Sequence, residues 1–129
     1  MIRRAIPFAV ATLLLAGPSV QSHPHTLPDA HAAGWEGEKV CELQHQTETH
    51  RVLRCRFPPG VGHERHFHPA HYGYALSGGR MQLTSGSGVR VAEIETGSHY
   101  TSDGVEWHEV VNVGETTVTY LIVEELQAK

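Results

Sequence analysis

The chain lacks the features that mark a helical, a nucleic-acid-binding or a multi-domain protein. Beyond residue 22 no stretch sustains a helical apolar period for ten positions, so helices are not expected to carry the fold. There is no polybasic segment and no basic stripe. With 10 Lys and Arg against 14 Asp and Glu, the formal charge is −4, and neither a phosphate backbone nor an anionic membrane surface is an expected partner. No internal repeat or second domain is visible, and 129 residues fit one domain. Cysteine is scarce at two residues, whereas 13 Gly, 7 Pro and a 40% hydrophobic fraction suit a compact, turn-rich chain rather than a disordered one.

The exception to the missing apolar runs is the N-terminus, "MIRRAIPFAVATLLLAGPSVQS". Arg3 and Arg4 precede an apolar stretch from Ala5 to about Gly17, followed by small residues, which is the layout of a secretory signal and too short for a spanning helix. Val20 and Ser22 suit the positions before a cut, giving a signal over 1–22 and a mature start at His23; cleavage near Ala16 is the alternative. Removing the segment takes away Arg3 and Arg4 and no acid, so the charge moves from −4 to −6. A periplasmic or secreted location follows as an expectation, with no membrane span after signal removal.

Residues 23–34 hold His and Pro and read as a flexible leader; 35–129 read as one β domain. Short β-rich runs recur there, "KVCEL", "HRVLRCRF", "YGYAL", "RMQLT", "VRVAEIE", "WHEVVNV" and "TTVTYLIVEE", separated by "PPG", "SGG", "SGSG", "ETG", "SDG" and "VGE". Such punctuation predicts a sandwich or barrel. Cys41 alternates in step with Leu43, and Cys55 with Leu53 and Phe57, so both cysteines fall on apolar sides of their strands. In an oxidising compartment they are disulfide candidates across a hairpin; two buried free thiols are the other reading.

What the chain has in abundance is histidine, 11 residues, four of them in "HERHFHPAH" at 63–71. His66 and His68, two apart on a strand, present two imidazoles to one face, a ready chelate for a metal. His71 has the wrong parity for the same straight strand, but Pro69 marks a bend that can re-aim it. Downstream in "DGVEWHEVVN", His108 alternates with Val110 and Asn112 and projects from a second strand. His66, His68, His71 and His108 are thus the expected metal ligands. His63 reads as a surface or rim residue, and Glu106, which shares His108's parity, is the candidate acid–base group.

These segments resemble the two cupin motifs. In "PGVGHERHFHPAHYGYALSGG", Gly60, His66, His68 and Gly78 fall on the first; in "GSHYTSDGVEWHEVVN", Gly97, His108 and Asn112 fall on the second. The pair covers residues 60–112. Where the first motif expects a glutamate ligand the chain has His71 or, counting from Gly79, Tyr72; in the second, Asp103 and Val105 replace a proline and a glycine, with Gly104 adjacent. The resemblance implies an all-β, single jelly-roll β-barrel of cupin type with the metal inside, and a homodimer as the default. On "HYGYAL" the alternation places Gly73 and Ala75 beside His71, small residues that leave room for a ligand.

An all-histidine site leaves a divalent ion's charge uncompensated and should favour a small anionic substrate. Imidazole ligands suit several divalent metals, and the resemblance implies iron as the first expectation, with zinc, manganese, nickel or copper as alternatives. Because all-histidine sites in cupins include iron-dependent dioxygenases, the resemblance implies dioxygenase-type oxidation as the leading catalytic reading. A non-catalytic module that binds a small ligand or the metal itself is the second, and a purely structural metal is the third.

Overall fold

The computed structural model describes residues 26–127. The expected signal over 1–22 lies outside them. The fold is all-β: β1 (Gly34–Trp35), β2 (Glu38–Lys39), β3 (Cys41–Gln46), β4 (His50–Phe57), β5 (Gly62–His68), β6 (His71–Ser77), β7 (Gly79–Ser85), β8 (Gly88–Ile94), β9 (His99–Ser102), β10 (Val105–Asn112) and β11 (Val118–Glu125). Among the described residues no helix is long and apolar enough to cross a membrane.

Two antiparallel sheets face each other. One has the order β3-β4-β11-β6-β9, the other β5-β10-β7-β8, and β1 and β2 form a separate hairpin. Among the described residues no ladder joins the two large sheets, so the barrel expected from the sequence is an open jelly roll rather than a closed cylinder. The chain crosses between the sheets at Pro69 and Ala70, since β5 ends at His68 in one sheet and β6 begins at His71 in the other. Proline suits that corner because it has no N–H to offer a continuing ladder.

The alternation read from the sequence fixes the inward faces. On β4, Arg51, Leu53, Cys55 and Phe57 are buried; on β11, Val118, Ile122 and Glu124 are. β4 and β11 pair without a register break from Val118 opposite Phe57 to Glu125 opposite His50. Leu53, Cys55, Phe57, Val118 and Ile122 form the apolar core with Met81 of β7, and each large apolar side chain removed from water contributes about 1.5–3 kcal/mol. Cys41 and Cys55 lie opposite each other in register and are joined by a disulfide, with no free cysteine among the described residues.

Residues 26–34 correct the expectation of a flexible leader. Ala30 is fully buried and Ala33 nearly so. The Phe67 amide donates to the Pro28 carbonyl at 3.1 Å, and Asp29 bridges to Phe67 in parallel register. The small apolar side chains Ala30 and Ala33 seat this segment against β5, which polar composition alone does not disclose.

Candidate metal centre

β5 and β10 bring the histidines together. They pair antiparallel with His108 opposite His66, so two strands distant in sequence place imidazoles side by side. The Nε2 atoms of His66 and His68 are 3.0 Å apart, as are those of His108 and His66. The ligand nitrogens of these three histidines all lie within 4.8 Å of one another.

The hydrogen bonds decide what those nitrogens can do. His66 donates its Nδ1–H to the Glu64 carbonyl at 2.6 Å, and His68 donates its Nδ1–H to Glu124 Oε1 at 2.8 Å. Both rings therefore carry their proton on the outer nitrogen and turn a lone pair inward. Two lone pairs facing at 3.0 Å repel unless an electron-poor centre lies between them. Imidazole nitrogens about 2.1 Å from one transition ion, at roughly a right angle, show this separation. The donor set fits a divalent transition metal held by His66, His68 and His108.

Burial keeps the rings neutral. It depresses the His68 ring to about 2, helped by the neighbouring His66 and His71 rings and by Arg51. Burial followed by the surrounding imidazoles takes His108 to about 3, and burial also lowers His66. Neutral imidazole is the metal-binding form.

Beneath His68 lies a network that sequence reasoning missed. Glu124 is fully buried on β11 and accepts from Arg51 Nε at 2.8 Å and Arg51 Nη2 at 2.5 Å, while its other oxygen holds His68. Arg51 Nη1 reaches Asp29 at 2.9 Å in the docked N-terminal segment. Burial alone would raise the Asp29 carboxyl, but the Ala32 amide and Arg51 outweigh it and hold the group below its usual range. A carboxylate behind a ligating histidine fixes its tautomer and ring plane. The formal charges of Asp29, Arg51 and Glu124 sum to one negative, so the site is not the uncompensated set of imidazoles expected from the sequence. The available signal was Glu124 itself, a charged residue in phase with Ile122 and Tyr120 on a mostly apolar strand.

Other expected site residues are placed as follows. His71 is buried and stacks on His68 with ring centroids 4.5 Å apart, but its Nδ1–H donates to the Pro69 carbonyl at 2.9 Å and its nitrogens are not among the convergent group. The bend at Pro69 carries it onto the opposite sheet instead of re-aiming it at the other three nitrogens. Gly73 and Ala75 are inward and buried, yet the space over Gly73 holds the Tyr100 ring: a Cβ there would come within 2.7 Å of the Tyr100 hydroxyl. Tyr100 lies directly opposite Gly73 in the β6–β9 ladder, so the room expected for a ligand is taken by an aromatic ring from the adjacent strand. Glu106 is exposed and lines an outer groove with Pro69 and Asp103. The register shifts between Val105 and His108, and this irregularity cancels the parity that had put Glu106 on His108's face.

His63 is a further correction. It is only 2% exposed, its ring lies 3.7 Å from that of His66, and it lines the cavity rather than the rim. A further shift between His108 and Val110 lets both His63 and His66 turn inward despite their odd spacing. Asn112 anchors the far end of β10, its amide donating to the Phe57 and Thr116 carbonyls at 2.7 Å each and its oxygen accepting from Gly114 at 2.9 Å.

The cluster opens into a cavity of about 480 Å³ between the sheets, walled by Phe57, Met81, Leu83, Ile94, Val110 and Ile122. No carboxylate lines it among the described residues.

No family model and no curated protein sequence matches the chain. Solved structures do. A cupin domain from Bordetella pertussis Tohama I superimposes with a TM-score of 0.64 over 78% of this chain and 97% of that one, at 22% identity. A double-stranded β-helix domain protein from Klebsiella pneumoniae gives 0.57 over 73% and 83% at 21% identity. A protein from Thermotoga maritima described as a predicted oxalate decarboxylase gives 0.53 over 79% and 95%, also at 21% identity. The chain has the double-stranded β-helix fold of cupin domains, with a three-histidine cluster inside it.

Proposed function

We propose that this protein is an exported, metal-binding cupin that holds one divalent transition metal through His66, His68 and His108 and takes a small anionic molecule in the adjoining cavity. The observation that supports the metal most directly is the inward convergence of three Nε2 atoms while the Nδ1–H groups of His66 and His68 are bonded elsewhere. With three protein ligands, positions remain for a substrate. A bound ion would supply Lewis acidity and, if it is iron, the means to activate dioxygen. The chain's own residues do the rest: Glu124 orients His68, His71 and Tyr100 pack beside the cluster, and the apolar walls exclude water from the bound molecule. Dioxygenase-type oxidation of a small anion is the catalytic form of this proposal, and a homodimer in the periplasm or outside the cell is its expected state.

A second reading, a binding module without turnover, is favoured by one observation: with Glu106 on the outer surface, no carboxylate lines the cavity among the described residues. The test is metal analysis of untagged protein purified from the exported fraction, followed by oxygen uptake with candidate acids. Iron together with substrate-dependent oxygen uptake supports the dioxygenase reading. Zinc or copper with no uptake supports the binding module, and no metal overturns the metal centre and the oxidation with it. Intact mass on the same sample reads the export step, since loss of residues 1 to about 22 is expected and a full-length chain contradicts it.

A further inference from the structure

β8 is patterned against ordinary expectation. Its outward residues Val89 and Val91 are apolar and 64% and 50% exposed, whereas the inward phase, set by Ala92 and Ile94 in the cavity wall, also carries Arg90. Arg90 sits opposite Leu83 in the β7–β8 ladder, and both line the cavity. Among the described residues it has no carboxylate partner, in contrast to Arg51 and Arg80, which are paired. Arg90 is itself solvent-exposed, so it stands at the cavity's open side, and a guanidinium there without a counter-ion is a ready receptor for an anion, which it binds through two parallel N–H donors. It stands on the His108 side of the cavity, where its charge is felt at both His108 and Tyr120.

Size and wall chemistry define the rest of the ligand. The 480 Å³ cavity falls in the range of about 300–1,000 Å³ typical of small-molecule sites. A bare small anion would leave most of it unfilled and the Phe57, Met81, Leu83 and Ile94 surfaces without contact. We infer that the cavity's ligand is a monoanion with a sizeable apolar body, its charged group read by Arg90 and its body seated on the apolar walls. This rests on the cavity being the ligand site of the proposed function, but not on the metal.

The experiment is calorimetric titration of metal-free protein with phenylacetate, phenylacetamide and acetate, repeated on protein loaded with zinc. Phenylacetate is expected to bind about tenfold or more tightly than either the neutral amide or acetate, the scale of one charge-assisted pair or one buried ring. Arg90→Gln should bring phenylacetate to the level of phenylacetamide, whereas Arg56→Gln, on the outer groove beside Trp35, should leave the preference intact; thermal unfolding confirms that both variants fold. Equal binding of acid and amide, acetate matching phenylacetate, no binding of phenylacetate, or an undiminished preference in Arg90→Gln would each overturn the inference. Failure to take up zinc would sink the metal reading alone, because the Arg90 preference is read on metal-free protein.

Discussion

The two sheets differ in what they turn inward. In the five-stranded sheet, β4 and β11 pair in unbroken register, bury Leu53, Cys55, Val118 and Ile122 to 5% exposure or less, and satisfy their one internal charge pair, Arg51 and Glu124, within the sheet. In the four-stranded sheet, β10 pairs with β5 through two register shifts, β8 is exposed along most of its length, and Arg90 faces the cavity unpaired. The unbroken β4–β11 pairing builds the core, and the interrupted β5–β10 pairing builds the site. The bridge between them is the hydrogen bond from His68 on β5 to Glu124 on β11, which lets a residue of one sheet set the orientation of a ligand on the other.

Acid should break the site side most severely. In metal-free protein the buried rings of His63 and His68 are depressed to about 2, each chiefly by burial, and His66 is lowered for the same first cause. Between those folded values and the ordinary value near 6.5, the unfolded chain binds protons that the folded chain refuses, so stability rises with pH and is lost on acidification. Each such histidine adds up to about 1.4 kcal/mol per pH unit to the slope. Urea unfolding at pH 7.5, 6 and 5 should therefore show a steep fall below pH 6.5; a flat profile would mean that the rings are not buried as a group.

Cutting the bridge comes next. Glu124→Ala leaves the Arg51 charge buried without its main partner, for an expected loss of about 3–5 kcal/mol, measured by chemical denaturation. Glu124→Gln should lose less stability while still weakening metal affinity about tenfold, because the amide is a weaker acceptor for His68. An unchanged affinity in that variant would separate the two sheets functionally. Within the five-stranded sheet alone, replacing Cys41 and Cys55 by Ser opens a loop of sequence separation 14 and should cost about 3 kcal/mol. Thiol counting on denatured, unreduced protein should find no free thiol. The smallest effect is expected at Glu106, where substitution by Ala should change stability by less than about 0.5 kcal/mol and leave metal content unaltered. A loss of metal there would restore it to the site.

The regular half of this architecture is the half that periodicity reveals. The inward phase of β4 follows from simple alternation, as does the place of Cys41 and Cys55 on the apolar sides of their strands. The pairing of His66 with His108 is legible because two-residue spacing and the second motif place each on an inward face. What escaped reading lies where the period slips. The shift between Val105 and His108 turns Glu106 out, and the shift between His108 and Val110 lets His63 in. Tyr100 could not be placed over Gly73 without knowing that β9 pairs with β6. Nor could Asp29 and Ala30 be seen to dock, because their contacts are with strands far along the chain. Glu124 was readable in principle, as a charge on an inward phase, since such a charge needs a partner.

The central claim is that three histidines from the irregular sheet, rather than four from both sheets, hold one ion. It is tested most directly by metal bound per chain in His66→Ala, His68→Ala, His108→Ala and His71→Ala, each loaded with one divalent metal and desalted alongside the parent protein. The account predicts one ion per chain for the parent and for His71→Ala, and loss of the ion in the other three. Full occupancy in His108→Ala, or loss in His71→Ala equal to that in His66→Ala, would contradict it.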